Sequence, residues 1–380
     1  MDFERANESL PSGAEAPPPP FTPYVAECKV SGDKTISHDS HLNEDGEALY
    51  RFLLSQAETP PVFLVHCLGV HTTTRTRTST TPSGATTTES YTETVTDFSF
   101  HIGQRLLPRA TQWTVGDEEP VHRGRMVRET GLPGSTNKAQ SAQVERFKAW
   151  SEERTSRGLP PWVGPRDPAS YQPGYSAGAV LRPRETDVLK SSWTLRKWAD
   201  NYCDSRAPLK EFVYEKVVHG WNLGMLGGAI RDTIKSTGYR GRVIIDFKVH
   251  GNKVVVRPDS RLSRALSSYW LKILLIVTLV YPFLWLYKRF NARGGGRWTV
   301  AGGAYALKRW VVPSEDVQPG VLVNVFQTPD GPRILVGVRE GEWLRAWELT
   351  IRAAVTRHRV DPTPLYQPFP TVGSAVLPRR

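Results

Sequence analysis

From Val62 to about Ile102 apolar and polar residues alternate with period two, through HTTTRTRTST and TTTESYTETVTDFSFHI, interrupted by Pro82-Ser83-Gly84-Ala85. This pattern predicts a long β-hairpin. With Ser83, Gly84 and Ala85 as the loop, facing residues have numbers that sum to 168. One face then pairs Thr72 with Thr96, Thr74 with Thr94, Thr76 with Thr92, Thr78 with Ser90 and Thr80 with Thr88. The other sets His71 opposite Asp97, Arg75 opposite Glu93, Arg77 opposite Tyr91 and Ser79 opposite Glu89. Threonine pairs and opposite charges each favour such a register. Phe63, Val65, Val70, Phe98, Phe100 and Ile102 make the base of the hairpin apolar, so it should root in a core while the tip projects.

The rest of the chain mixes helical and strand periods. Residues 44–57 hold a short amphipathic helix with Leu49, Phe52 and Leu53 on one side, and 138–157 a second with Val144, Phe147 and Trp150. From Glu185 onward Val188, Leu195, Trp198 and Tyr202 mark a helix, Phe212–Val218 a strand, and Trp221–Thr237 a helix with Leu223, Leu226, Ile230 and Ile234 on one face. Arg242–Val249 and Lys253–Arg257 read as two strands of a tight hairpin around Gly251-Asn252. Further on, Val321–Gln327 and Arg333–Val338 read as paired strands across Thr328-Pro329-Asp330-Gly331. Residues Glu342–His358 read as a helix bearing Trp343, Ala346, Trp347, Ile351 and Val355. The expected fold class is α+β: a mixed or antiparallel sheet with a long projecting Thr-rich β-hairpin, packed helices, and one transmembrane helix.

That last element is WLKILLIVTLVYPFLWLYKR, Trp270 to Arg289, where Lys272 is the single charge between Leu271 and Tyr287. At about 1.5 Å per residue it covers most of a hydrocarbon core about 30 Å thick. Tyr269, Trp270, Trp285 and Tyr287 suit the two interfaces, and Lys288-Arg289 suits a stop. The stretch SRLSRALSSYW leads into it with no Gly or Pro, which predicts one continuous helix joining domain to membrane. Pro282 is the one objection, and membrane helices tolerate proline. Arg257, Arg261 and Arg264 on one flank balance Lys288, Arg289, Arg293 and Arg297 on the other, so the positive-inside rule barely orients the segment. Export of 270 preceding residues is the harder route, which favours a cytosolic N-terminal domain at an internal membrane such as the endoplasmic reticulum.

The expected organisation is a disordered N-terminal linker over 1–58 and an α+β domain over 59–260 carrying a loop-rich insertion at 104–184. A helix over 261–290 includes the span at 270–289. A small C-terminal α/β module over 291–360 and a Pro-rich tail over 361–380 complete it. The Pro17–Pro20 run favours extended polyproline II, as linker or as an SH3- or WW-type ligand.

Composition adds little specificity. The net charge of +11 is scattered rather than gathered in a stripe, so no nucleic-acid partner is expected. Arg261, Arg264, Lys288, Arg289 and Arg293 are placed to meet anionic lipid headgroups, beside an unknown protein partner. Cys28, Cys67 and Cys203 lack metal-ligand spacing and suit a reducing compartment. No early apolar region marks a secretory signal, and the single N-x-S/T site is Asn7.

No G-x-x-x-x-G-K-[ST], H-E-x-x-H, C-x-x-C or G-x-S-x-G is present, so no catalytic, cofactor-binding or metal residues are assigned. The HGWNLGMLGGAI turn, with Gly220, Gly224, Gly227 and Gly228, departs from G-x-G-x-x-G and reads as close helix packing. The hairpin's Thr face could meet a strand or an ordered surface, its RTRTST a basophilic kinase, and His66, His71 and His101 a metal; a solvated ribbon is the favoured reading.

The TTTRTRTSTT and ESYTETVTDFSFHI hairpin, GWNLGMLGGAIRDTI, LKILLIVTLVYPFLWLYKRF and GGGRWTVAGGAYALKRW together resemble a group of uncharacterised fungal single-pass membrane proteins. The likeness covers residues from about 60 to 310. Members sometimes carry an automatic transporter label that the missing Walker A loop does not support. The resemblance implies a membrane location and supplies no catalytic residues. The function expected is a non-enzymatic, membrane-anchored interaction or scaffold protein. The alternatives are a membrane-bound enzyme or lipid-handling domain and an accessory subunit of a multi-span transporter.

Overall fold

The computed structural model describes residues 25–80, 86–164, 191–291, 294–311, 325–328 and 331–369. Asn7, Pro17–Pro20, the Ser83–Ala85 loop, Val188, Arg293, Val321 and residues 370–380 lie outside them. The architecture is mixed α+β.

The first sheet has six strands: β1 (Lys29–Ser31), β2 (Lys34–Ser37), β5 (Thr111–Thr114), β8 (Glu211–His219), β10 (Lys253–Val256) and β11 (Arg297–Ala306), in the order β1-β2-β10-β8-β11-β5. Strands β10 and β2 run parallel, as do β11 and β8; the other pairs are antiparallel. Strand β8, EFVYEKVVH, is buried from Glu211 to Tyr214, as expected for a strand with neighbours on both edges and layers on both faces. Helices α1 (His41–Glu44), α2 (Gly46–Glu58) and α4 (Leu195–Asp204) supply Leu42, Leu49, Leu53, Trp198 and Tyr202 to its core.

Two expectations change here. The region 25–58 is folded rather than a linker: Asp45 accepts from the Glu47 and Ala48 amides to start α2, and β2 pairs with β10. Strand β11, assigned above to a separate C-terminal module, is an inner strand of this sheet.

The second sheet, in the order β15-β4-β3-β9, is built on β3 (Val62–Thr80) and β4 (Thr86–Gln104). Its inner face carries Val65, Cys67, Phe98, Phe100 and Ile102. These pack on α5 (Leu223–Lys235) and α9 (Glu340–Thr356) through Leu226, Ile230, Ile234, Trp343, Trp347 and Ile351. Strand β9 (Arg242–His250) pairs with β3, whereas β10 pairs with β8 in the other sheet. The expected hairpin around Gly251-Asn252 is therefore a crossing between two sheets. A local turn signal says nothing about partners far away in sequence, and each strand has a better one elsewhere. Strand β15 (Val360–Leu365) lies parallel beside β4, in a stretch assigned above to the tail.

The long hairpin forms, with a different register. Pairs sum to 167 from Phe63↔Gln104 to Gly69↔Phe98 and to 166 from Val70↔Thr96 to Thr80↔Thr86. Asp97 is the extra residue, a β-bulge. Its carboxylate accepts from Tyr239 Oη and His71 Nδ1, both at 2.7 Å. Gly69 leaves room for the Phe98 ring, which any Cβ there would strike. Beyond the bulge the true register differs from the expected one by two residues, and an even slip preserves faces. Threonine still faces threonine, and Arg75 reaches Glu93 at 2.6 Å diagonally instead of directly.

Two smaller sheets complete the fold. Strand β14 (Gly331–Gly337) lies between β12 (Lys308–Val311) and β13 (Val325–Thr328), and β6 (Glu129–Thr130) pairs with β7 (Asn137–Lys138). The expected strand pair across 328–331 is present in β13 and β14. Helix α3 (Ser141–Ser156) buries Trp150 only.

Candidate functional site

The apolar stretch is not one helix. It forms α6 (Arg261–Ser267), α7 (Tyr269–Val277) and α8 (Val280–Phe290), with α7 and α8 bent by 101° at their junction. No single helix among the described residues is long and apolar enough to cross a membrane; the bent pair together has that length and composition. The cause of the bend lies in the sequence. Proline has no amide to donate to the carbonyl four residues back, and its ring clashes with that carbonyl. For Pro282 that residue is Thr278, where α7 stops. Leu279 then takes a left-handed conformation, φ 58°, and Pro282 falls in the first turn of α8, where an amide is not needed. Thr278 Oγ1 donates to the Leu274 carbonyl at 2.9 Å and so helps to close α7. The first joint, at Ser268, is extended; Ser267 Oγ beside it accepts from Arg257 Nη1 at 2.7 Å.

Neither arm has a buried residue. Trp270 is 77% exposed, Val277 73%, Leu279 67% and Phe283 71%. A helix apolar on every side and packed against nothing on most of them is unlike the surface helix of a water-soluble body, which shows one apolar stripe.

The ends of the segment fix its topology. Strand β10 leaves the six-stranded sheet at Val256, opposite Phe212 of β8, and β11 re-enters at Arg297, opposite Glu211. These anchors sit on either side of β8 at one end of its strands, about 10 Å apart at two strand spacings. A straight span would carry its ends about 30 Å apart, on opposite faces of a bilayer. The return path is tight: a Cβ on Gly294 would strike the Tyr287 carbonyl, one on Gly295 the Lys288 side chain, and one on Gly296 the Gly124 carbonyl. The GGG run thus allows close backbone approach at the return.

Charge collects where hairpin meets sheet. Glu211, buried, accepts from Arg257 Nε at 2.8 Å and lies 3.4 Å from Arg297 Nε. Burial opposes its ionisation most strongly, yet Arg257, Lys288 and Arg297 together hold the carboxyl below its ordinary range. Buried Lys210 donates from Nζ to the carbonyls of Asn43, Tyr202, Cys203 and Ser205 at 2.8–3.3 Å, so its charge is spent on the fold. Between this end of the sheet and the arms is a cavity of about 130 Å³, walled by Arg257, Lys272 and Lys288 and by Leu266, Leu284 and Trp285. Lys272, the single charge within the apolar stretch, lies 5.5 Å from the Tyr281 ring of the other arm and faces this cavity. Of the residues expected to meet headgroups, Lys288 lines the cavity, Arg289 stacks over Trp285 at 5.2 Å, and Arg264 pairs with Asp259. Arg261 begins α6.

The other sequence candidates do not converge. His66 and His101 stack at 4.3 Å, whereas His71 is about 17 Å along the strand from His66, bound to Asp97. No group of three metal-ligating side chains occurs among the described residues. At the HGWNLG turn Asn222 Oδ1 accepts from the Met225 amide and Glu340 from the Asn222 amide, so the start of α5 is already capped. The space beside it, lined by Gly224, Gly227, Arg231 and Lys148, is a wide open groove.

Comparison with family models, with curated proteins and with solved structures finds no match for this chain.

Proposed function

We propose that this is a membrane-anchored interaction protein whose α7–α8 hairpin enters one leaflet of a bilayer from the side on which the folded body lies. The observation that carries this reading is the pairing of an apolar, unburied hairpin with two ends fixed on neighbouring strands at one end of one sheet. At about 1.5 Å per residue, nine and eleven residues reach about 13 and 16 Å, the depth of one leaflet rather than two. The earlier single-pass expectation thus becomes a monotopic one. The balanced basic flanks fit it, because Arg257, Arg261 and Arg264 face the same headgroups as Lys288 and Arg289. A body on the cytosolic face of an internal membrane accords with the free thiols of Cys28, Cys67 and Cys203. With no converged catalytic set among the described residues, recruitment of a protein or lipid is the role the surface supports.

The test is protease protection of the full-length protein, tagged at both termini, in microsomes, combined with alkaline carbonate extraction. Both tags should be cleaved together from the cytosolic side while the protein stays with the membrane. Protection of one tag alone would restore a through-going span, and release by carbonate would remove the anchor.

A further inference from the structure

The cavity under the hairpin has a charge imbalance that the fold does not resolve. Its walls carry four cations, Lys210, Arg257, Lys272 and Lys288; Lys210 is spent on backbone carbonyls, and the neighbouring carboxylate, Glu211, is already shared between Arg257 and Arg297. The ammonium groups of Lys272 and Lys288 form no hydrogen bond or ion pair with a described residue; Lys272 has only the Tyr281 face. Like charges at one low-dielectric site repel unless an anion joins them. The space well exceeds the roughly 10–15 Å³ that a single water needs.

The remaining walls identify the kind of anion. Leu266, Leu284 and Trp285 line the same cavity, and α8 continues outward as the exposed Phe283 and Leu286. A ligand with a charged head and an apolar tail satisfies both halves, whereas a free ion satisfies one. The cations come from both arms and from the end of the sheet, so the site exists only when hairpin and body are docked together.

We propose that this cavity binds the phosphate of an anionic phospholipid headgroup between Lys272 and Lys288, with Arg257 behind them and the acyl chains running out along α8. This deepens the anchoring reading above and rests on it: a diffuse basic collar becomes a stoichiometric headgroup site.

Calorimetric titration of the full-length protein with water-soluble dihexanoylphosphatidic acid should show saturable one-to-one binding. That binding should persist at about 0.5 M salt, where exposed charges are screened within a few ångströms. The K272Q/K288Q variant should lose at least about ten-fold in affinity. R261Q/R264Q, which removes the same charge from α6 outside the cavity walls, should bind as wild type does, and K272R/K288R should retain binding, showing that charge is what matters. Equal loss in both Gln variants, or binding that vanishes with salt, overturns the site in favour of collar electrostatics. Inorganic phosphate binding as tightly as the lipid overturns the lipid assignment. Flotation on neutral phosphatidylcholine vesicles tests the anchor separately. Flotation without saturable phosphatidic acid binding sinks the site alone, and saturable binding without flotation sinks the anchor alone.

Discussion

Two long arms leave the body of this protein, and they solve opposite problems. Beyond its base, where β9 and β15 flank it, the β3–β4 ribbon carries threonine, arginine and glutamate; its inner backbone groups pair across the ladder and its outward ones are left to water. The α7–α8 arm satisfies its backbone within its helices, but it covers itself with Leu, Ile, Val, Trp and Phe, none of them buried. The root of the ribbon is an apolar core, and that of the hairpin is an ionic cluster around Glu211. The lesson is that projection alone carries no functional meaning. What an arm needs from its surroundings depends on the side chains it leaves unburied.

The comparison breaks most decisively if the hairpin does not need a bilayer. Replacing Trp270, Leu274, Phe283 and Leu286 together by Ser removes side chains worth about 1.5–3 kcal/mol each on transfer from water. Vesicle flotation should fall by more than about a thousand-fold, while the denaturant midpoint stays at or above wild type because none of the four is buried. Retained flotation would place the membrane contact elsewhere.

The reverse experiment acts on the ribbon's root. Trp343 of α9 is 2% exposed and packs against Trp221 and Trp347 beneath the second sheet. Trp343→Ala should cost about 3–5 kcal/mol of stability in chemical denaturation. Flotation per folded molecule should not change.

Acid should separate the two roots. Burial, with help from Lys248, holds His66 and His101 below their ordinary 6.5, and burial pushes His219 down to about 4. The unfolded chain therefore binds protons first, and the body loses stability as pH falls from about 6.5 toward 4. Glu211, held below its ordinary 4.5, keeps its contribution above that value and loses it only as pH falls further. The junction has acid-sensitive groups of its own, because burial, with Arg257 and Arg297, holds His38 and His122 below 6.5 as well. Amide exchange at pH 5.5, corrected for intrinsic rates, should loosen β3, β4 and β9, and in the H38Q/H122Q variant the Arg257–Glu211 junction should stay protected. Loosening there despite the two substitutions would mean that the two roots are one cooperative unit. The smallest effect belongs to the ribbon tip: Glu93→Gln removes an exposed pair with Arg75 and should change stability by less than about 1 kcal/mol, with no change in flotation.

Much of this was legible along the chain, for local reasons. Period-two alternation located the ribbon, and apolar stripes located α2, α5 and α9, because faces follow from spacing alone. Ala346, set on the apolar stripe of α9, is exposed while Thr350 one turn on is buried, which shows the limit of that reading at a single turn. The bulge at Asp97 was hidden because its partners, Tyr239 and His71, come from elsewhere in the fold. The break at Leu279 was within reach: Pro282 points four residues back to Thr278. Membrane helices accommodate proline often enough that hydropathy outweighed the warning. The cavity was out of reach, since Arg257, Lys272, Lys288 and Gly295 meet only because β10 and β11 flank the same strand.

That flanking has a consequence for how the molecule is made. The chain leaves the ribosome in order, so β8 (to His219) emerges first, the apolar arm next and β11 (to Ala306) last. There is thus an interval in which the central sheet lacks an inner strand while the greasiest segment is already outside. Loop closure of this kind is slow compared with local pairing, so the nascent protein has a window in which a chaperone or a membrane can take the arm before the body locks around its base.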